Sequence, residues 1–217
     1  MAFDRQKYLV ASELCDFDVS AEVKRKALRL TAKSGSKREK FRRIFDFVKE
    51  LPYGLDDWDL KASETLRKGW GMCSGKTNLL VAMLRSIGIP ARYQLYRIKA
   101  EPALWNRLGK LEGKAQRLRE LGQERDHVDC EVWLGRWTEC DPGRDSAMEH
   151  GIIKLGGTLE RHKIADSRGK VHYLRLAVFD QWARDRQARR KFRSDRTEVF
   201  AEINKGFREL RKLGLRS

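Results

Sequence analysis

Between Cys73 and Ile87 the chain carries Leu79, Leu80, Val81, Met83, Leu84 and Ile87, which cover most of the circumference of one helix. A surface helix shows a single apolar stripe, so a helix apolar nearly all round must be packed from every side. Its ends are sharply marked. Gly69-Trp70-Gly71 precedes it, and Gly88 and Pro90 follow; glycine closes a helix in the left-handed conformation and proline cannot continue it. Other elements must therefore wrap this helix, and the next segment, ARYQLYRI, alternates as a strand does.

The wrapping elements can be read in turn. Ser20 is placed to cap a helix through about Lys33, with Val23, Ala27 and Leu30 on one side. In KREKFRRIFDFVKEL, Phe41, Ile44, Phe45, Val48 and Leu51 define one buried face, which Pro52 and Gly54 terminate. A short helix is expected over 61–69. HVDCEVWL and WTECD read as two strands joined around Gly135-Arg136. Residues 101–126 read as a charged helical insertion, with Trp105, Leu108, Leu111, Ala115 and Leu118 as its apolar stripe. VHYLRLAVF is a strand candidate. From Gln181 the chain reads as basic and helical, with Val199, Phe200, Ile203, Phe207 and Leu210 as a sticky face for the body or a partner. The expectation is one domain over 1–217, with a core of about 40–145, the insertion, and the basic segment 181–217.

Charge and cysteine usage narrow the classes. The formal charge is +16, from 47 Lys+Arg against 31 Asp+Glu among 217 residues. Such a field attracts nucleic acid or an acidic protein, although acidic residues are interspersed nearly everywhere and charge alone carries no specificity. No stretch approaches the roughly 20 apolar residues that span a bilayer, and the start lacks a secretory apolar core, so a soluble cytoplasmic chain is expected. Cys15, Cys73, Cys130 and Cys140 form no CxxC pair, which argues against structural zinc and against a disulfide framework.

Cys73 stands where the glycine-rich turn meets the central helix. Unpaired N–H groups and the macrodipole at a helix N-terminus favour a thiolate, and the same N–H groups suit an oxyanion. A small apolar residue starting a helix would look the same, so partners decide. A catalytic thiol needs an imidazole oriented by a third group. His127 opens one hairpin strand and Asp141 ends the next, whereas His150 and His162 lie in loop-like surroundings and His172 begins a strand. The turn then sets a condition. A two-residue turn at Gly135-Arg136 pairs Asp141 with Cys130 and turns it away from His127. A three-residue turn through Leu134, with glycine at positive φ, places Asp141 opposite Asp129 on the histidine face.

Several residues invite other readings. Gly71-Met72-Cys73-Ser74-Gly75-Lys76-Thr77 nearly spells a P-loop, but only three residues separate its glycines and no strand precedes it. Lys76 is then expected on the solvent side of the helix, near the thiolate. Trp70 and Tyr53 are candidate walls of a substrate site that also fit as core. Glu131 and Trp133 share the histidine face by strand alternation and are further candidates for substrate contact. Cys130 and Cys140 read as hairpin packing.

GMCSGKTNLLVAMLRSIGIPARYQLY resembles the core segment of the transglutaminase-like superfamily, in which a glycine-flanked cysteine starts a helix ending in R-x-x-G-I-P-A-R. HVDCEVWLGRWTECDP is similar to that family's second segment, a histidine strand followed by a tryptophan strand ending in Asp-Pro. The resemblance covers roughly residues 40–145. It implies an α+β papain-like fold, a central helix on an antiparallel sheet with extra terminal helices. It also implies Cys73 as nucleophile, His127 as base and Asp141 as orienter. The implied activity is acyl transfer on a peptide, protein or small amide through a thioester, by hydrolysis or transamidation, with neither metal nor other cofactor required. Asp129 departs from the family pattern, where an aromatic residue is common. The competing expectation is a basic binding module, catalytically silent, for nucleic acid or an acidic protein.

Overall fold

The computed structural model describes residues 5–99, 124–190 and 196–216. Helix α4 (Cys73–Ser86) lies at its centre, and every residue from Cys73 to Arg85 is buried. Helices α1 (Ala21–Thr31), α2 (Lys37–Lys49) and α3 (Ala62–Lys68) pack against it, as do strands β1 (Ala91–Lys99) and β2 (Glu124–Trp133). The apolar circumference is thereby satisfied from every side. Gly88 takes φ +79° just beyond the helix and Gly69 takes φ +70° at the end of α3, the two glycine stops expected.

Local signals set the helix ends. The Ser36 hydroxyl accepts from the Glu39 N–H while the Glu39 carboxylate accepts from the Ser36 N–H, each at 3.2 Å, a reciprocal cap that starts α2. Ile44 and Val48 are fully buried beneath it, with Phe41, Phe45 and Leu51 packed at the margin of the core.

The sheet is antiparallel in the order β3–β2–β1–β4, with β3 at Trp137–Cys140 and β4 at Leu174–Leu176. Val128, Cys130 and Val132 point into the core with Ala91 and Tyr93, so His127, Asp129 and Glu131 project from the other face. The fold is thus the expected α+β arrangement of a central helix on an antiparallel sheet.

Three expectations need correction. Glu124–Asp126 belong to β2, where they pair with Lys99, Ile98 and Arg97. Their side chains are charged and show no alternation, so pairing with β1 rather than propensity makes them a strand. The rest of the anticipated 101–126 insertion lies outside the described residues. His150 sits in a helix, α5 (Ser146–Lys154), which Asp145 caps by accepting from the Met148 N–H at 3.0 Å. The VHYLRLAVF strand shrinks to the three residues of β4, because Leu174 and Val178 are exposed and supply no buried face.

The C-terminal segment docks on the body. Helix α6 (Asp180–Arg190) buries Ala183, and α7 (Arg196–Leu215) buries Val199, Ile203, Phe207 and Leu210. Asn204 both donates to and accepts from the Leu55 backbone, at 3.0 and 2.6 Å. α5 and α7 approach so closely that a Cβ at Gly151 would strike the Leu210 carbonyl, and one at Gly214 the Ala147 carbonyl. Among the described residues no helix is long and apolar enough to cross a membrane.

Gly151→Val should lower stability by about 1–3 kcal/mol through overpacking against a backbone that cannot yield. Exposed Ile153→Ala, on the same helix, should stay within about 0.5 kcal/mol of the parent in denaturant unfolding. Equal stability of the two variants would remove the close approach as a constraint.

Candidate active site

The hairpin between β2 and β3 has the three-residue turn. Trp133 pairs with Trp137 and Cys130 with Cys140, and Gly135 takes φ +95° between Leu134 and Arg136. Asp141, one residue beyond Cys140, therefore emerges on the histidine face. Its Oδ2 lies 3.0 Å from His127 Nε2.

Three donors hold the Asp141 carboxylate. Oδ2 accepts from His127 Nε2 and from Arg161 Nε, and Oδ1 accepts from the Gly143 N–H at 2.8 Å. Burial alone would raise this carboxyl, but Arg161, His127 and the Gly143 N–H hold it well below the usual carboxylate range. Burial, followed by the charge of Arg161, pushes the His127 pKa down, while Asp141 opposes both. An ionised carboxylate only accepts, so Nε2 carries the proton and the neutral ring presents Nδ1 as its basic nitrogen.

Cys73 begins α4, and the first hydrogen bond of that helix runs from the Lys76 N–H to the Met72 carbonyl at 2.9 Å. Cys73 and His127 line the same cavity, of about 160 Å³, together with Tyr53, Met72 and Arg161. The other thiols lie apart. Burial pushes Cys15 up to about 12, while Cys130 and Cys140 face one another inside the hairpin with their sulfurs 3.1 Å apart.

Of the further substrate candidates, only Tyr53 lines this cavity. Trp70 packs over Gly54, with the Lys68 ammonium 4.1 Å above its ring. The Glu131 carboxylate is engaged by Arg92 and Arg175 at 2.8 and 2.9 Å. Trp133 lies edge-on to Trp137, ring centres 5.5 Å apart. Strand alternation gave the face of Glu131 and Trp133 correctly, but that face extends well beyond the cavity.

Lys76 overturns its expected place on the solvent side. It is fully buried, and its ammonium donates to the carbonyls of Lys49, Leu51 and Gly143 at 2.9, 2.6 and 2.9 Å. It thereby ties the end of α2 to the loop that carries Asp141. Asp145 forms a neighbouring junction, accepting from the Tyr53 N–H at 2.9 Å and from Arg211 on α7. Sequence reasoning also missed Arg161, which sits in an irregular segment with no periodicity to mark it.

Behind the histidine, Asp129 Oδ2 accepts from the Tyr96 hydroxyl at 2.9 Å, and the Tyr96 ring lies edge-on to His127. Burial and the charge of Asp141 push Asp129 up to about 8, against the Tyr96 hydrogen bond. One donor atom each from His127, Asp129 and Asp141 lies within 4.8 Å of the others. A cation held there would sit beside the Arg161 guanidinium, so these donors fit proton handling better than metal binding.

Residues 24–142, more than half of the chain, match the core of the transglutaminase-like superfamily, and the chain belongs to that superfamily. None of the curated proteins matches the chain. Among solved structures it is similar to a proposed cysteine protease from Cytophaga hutchinsonii, with 18% identity over 81% of this chain and 56% of that one and a TM-score of 0.47. It is also similar to a proposed protease from Parabacteroides distasonis, with 19% identity over 74% of this chain and 30% of that one and a TM-score of 0.42. The chain thus spans little more than half of the first and under a third of the second.

The Lys76 clasp has a measurable signature. Burial pushes its pKa down to about 7 from 10.5, with Asp145 opposing. Between those values the unfolded chain holds the extra proton, so this group's contribution to stability rises with pH, by at most about 1.4 kcal/mol per unit. Below pH 7 both states are protonated and the contribution is flat. Lys76→Met should flatten the rise between pH 7 and 10 in denaturant unfolding. An unchanged slope would show that the ammonium does not titrate there.

Proposed function

We propose that the protein performs acyl transfer on a peptide or amide carbonyl through a thioester on Cys73, as one folded domain. The observation that carries this reading is the His127–Asp141 hydrogen bond, made by a histidine that lines the same cavity as Cys73. The Cys73 thiol gives its proton to His127 Nδ1, and the positive end of the α4 dipole favours the resulting thiolate. Sulfur attacks the carbonyl carbon, and the N–H groups of the first turn of α4 face the developing oxyanion. The tetrahedral intermediate collapses as His127 returns the proton to the leaving amine, which leaves a thioester. Water or an amine then loses a proton to His127, attacks the thioester and releases the thiolate. Asp141 keeps the ring in the required tautomer and supports the imidazolium. The alternative of a silent basic binding module rests on net charge alone.

The test is acylation by p-nitrophenyl acetate, read by nitrophenolate release and by intact mass. Cys73 should acylate ahead of Cys15, Cys130 and Cys140, and the adduct should turn over to water or to an added amine. Asp141→Asn should slow acylation about 10³-fold or more, because the ring then loses its preferred tautomer. Acylation spread evenly over the four cysteines, or left unchanged by His127→Ala, would sink the reading.

A further inference from the structure

The residues that match the superfamily end at 142, yet helices beyond them help to wall the cavity that Cys73 lines. Phe200 and Phe207 of α7 line it together with Leu55, Trp58 and Met72. Phe200, Asn204 and Phe207 stand at i, i+4 and i+7, and so share one face of α7.

A run of short contacts ties that face to the start of α4. The Asn204 side chain accepts from the Leu55 N–H at 2.6 Å and donates to the Leu55 carbonyl at 3.0 Å. The Gly54 N–H donates to the Gly71 carbonyl, and the Gly71 N–H to the Pro52 carbonyl, each at 3.1 Å and two residues before Cys73. The approach is close enough that a Cβ at Gly54 would come within 3.2 Å of Asn204 Oδ1. The Ser74 hydroxyl, one residue after the thiol, donates to the Asp57 carbonyl at 3.4 Å. The Trp58 N–H donates to Gln187 of α6 at 3.1 Å, and the Phe207 ring lies edge-on to Tyr53, centres 5.4 Å apart. The stretch 53–58 thus joins the turn that bears the thiol to both C-terminal helices.

The wall made in this way is apolar. Leu55, Trp58, Met72 and Phe207 are buried and Phe200 is half-buried, whereas charged lining residues such as Lys99 and Glu124 come from the paired ends of β1 and β2. Docking of α7 is served by the buried Val199, Ile203 and Leu210, and Phe200 stands beside that stripe. Apolar surface on a cavity wall favours a ligand group that covers it and releases water.

We propose that α7 completes an apolar acyl pocket, in which Phe200, Phe207, Leu55 and Trp58 hold an aliphatic or aromatic side chain of the substrate beside the carbonyl that Cys73 attacks. The inference rests on Cys73 being the nucleophile. The acyl group stays bonded to that sulfur until the thioester is resolved, so a wall tied to the thiol turn reads the acyl part rather than the amine that leaves first. The substrate class is then a peptide or amide with an apolar residue on the acyl side. Phe200 is a specificity-determining residue supplied from outside the matched core.

The test compares p-nitrophenyl acetate with p-nitrophenyl hexanoate. In each case the Cys73 sulfur forms one bond to the carbonyl carbon and nitrophenolate leaves with its bonding pair, so only the alkyl chain differs. The ratio of hexanoate to acetate acylation rates at Cys73 should exceed that of free glutathione by about tenfold or more, since each buried methylene contributes about fourfold. Phe200→Gln and Phe200→Ala should each lower the ratio by about threefold or more, and Phe200→Leu should keep most of it. Leu28→Ala, exposed on α1, should leave it unchanged. Because each protein supplies its own ratio, a general loss of reactivity in a variant does not disturb the reading.

A ratio equal to that of glutathione, or unmoved by both Phe200→Gln and Phe200→Ala, would overturn the pocket while leaving the nucleophile in place. An equal fall in Leu28→Ala would do the same. Acylation of Cys73 by neither ester would remove the nucleophile reading, and the pocket with it.

Discussion

A lysine ammonium inside the core fixes the relation between the helix that carries Cys73 and the loop that carries Asp141. Lys76 stands on the first turn of α4, three residues after the cysteine, and its three hydrogen bonds reach the end of α2 and the Gly143 carbonyl. A buried charge is tolerable only when its donors are satisfied, so these three carbonyls cannot drift from it cheaply. The thiol and the carboxylate belong to elements remote in sequence, α4 and the loop after β3. One side chain holds both to the same framework.

Electrostatics around Asp141 follow the same logic. Its carboxylate accepts from the Arg161 guanidinium and from the neutral imidazole of the candidate triad. Arg161 keeps the carboxylate ionised even as it lowers the proton affinity of His127. Burial and Arg161 together thus favour the neutral ring, which leaves it a basic nitrogen. A carboxylate served by His127 alone would support imidazolium more strongly and hold the resting proton more tightly.

Much of this was legible in the sequence because it depends on period and punctuation. The apolar circumference of α4, the glycine stops at Gly69 and Gly88, and the alternation of β1 and β2 are local properties that tertiary packing did not reverse. The direction of Asp141 reduced to one question about turn length, and positive φ at Gly135 answers it. What escaped was set by contacts between distant segments. Lys76 looks like any helix lysine until three carbonyls from elsewhere meet it. Arg161 lies in an irregular stretch whose position only the assembled sheet defines. Glu124–Asp126 carry no strand pattern, and β1 alone recruits them. Trp70, Glu131 and Trp133 show the converse, since a residue can lie on the right face or beside the right motif and still fall outside the cavity.

The three-residue turn has a consequence at the level of the gene. β3 is an edge strand of only four residues, so the sheet depends little on which of them pairs with which. The carboxylate that follows has no such latitude, because side chains change face with every residue. Loss of a single codon between Trp133 and Trp137 would leave a chain able to build most of the same core while swinging Asp141 away from His127. Selection on chemistry and selection on folding would therefore see very different costs for the same small deletion.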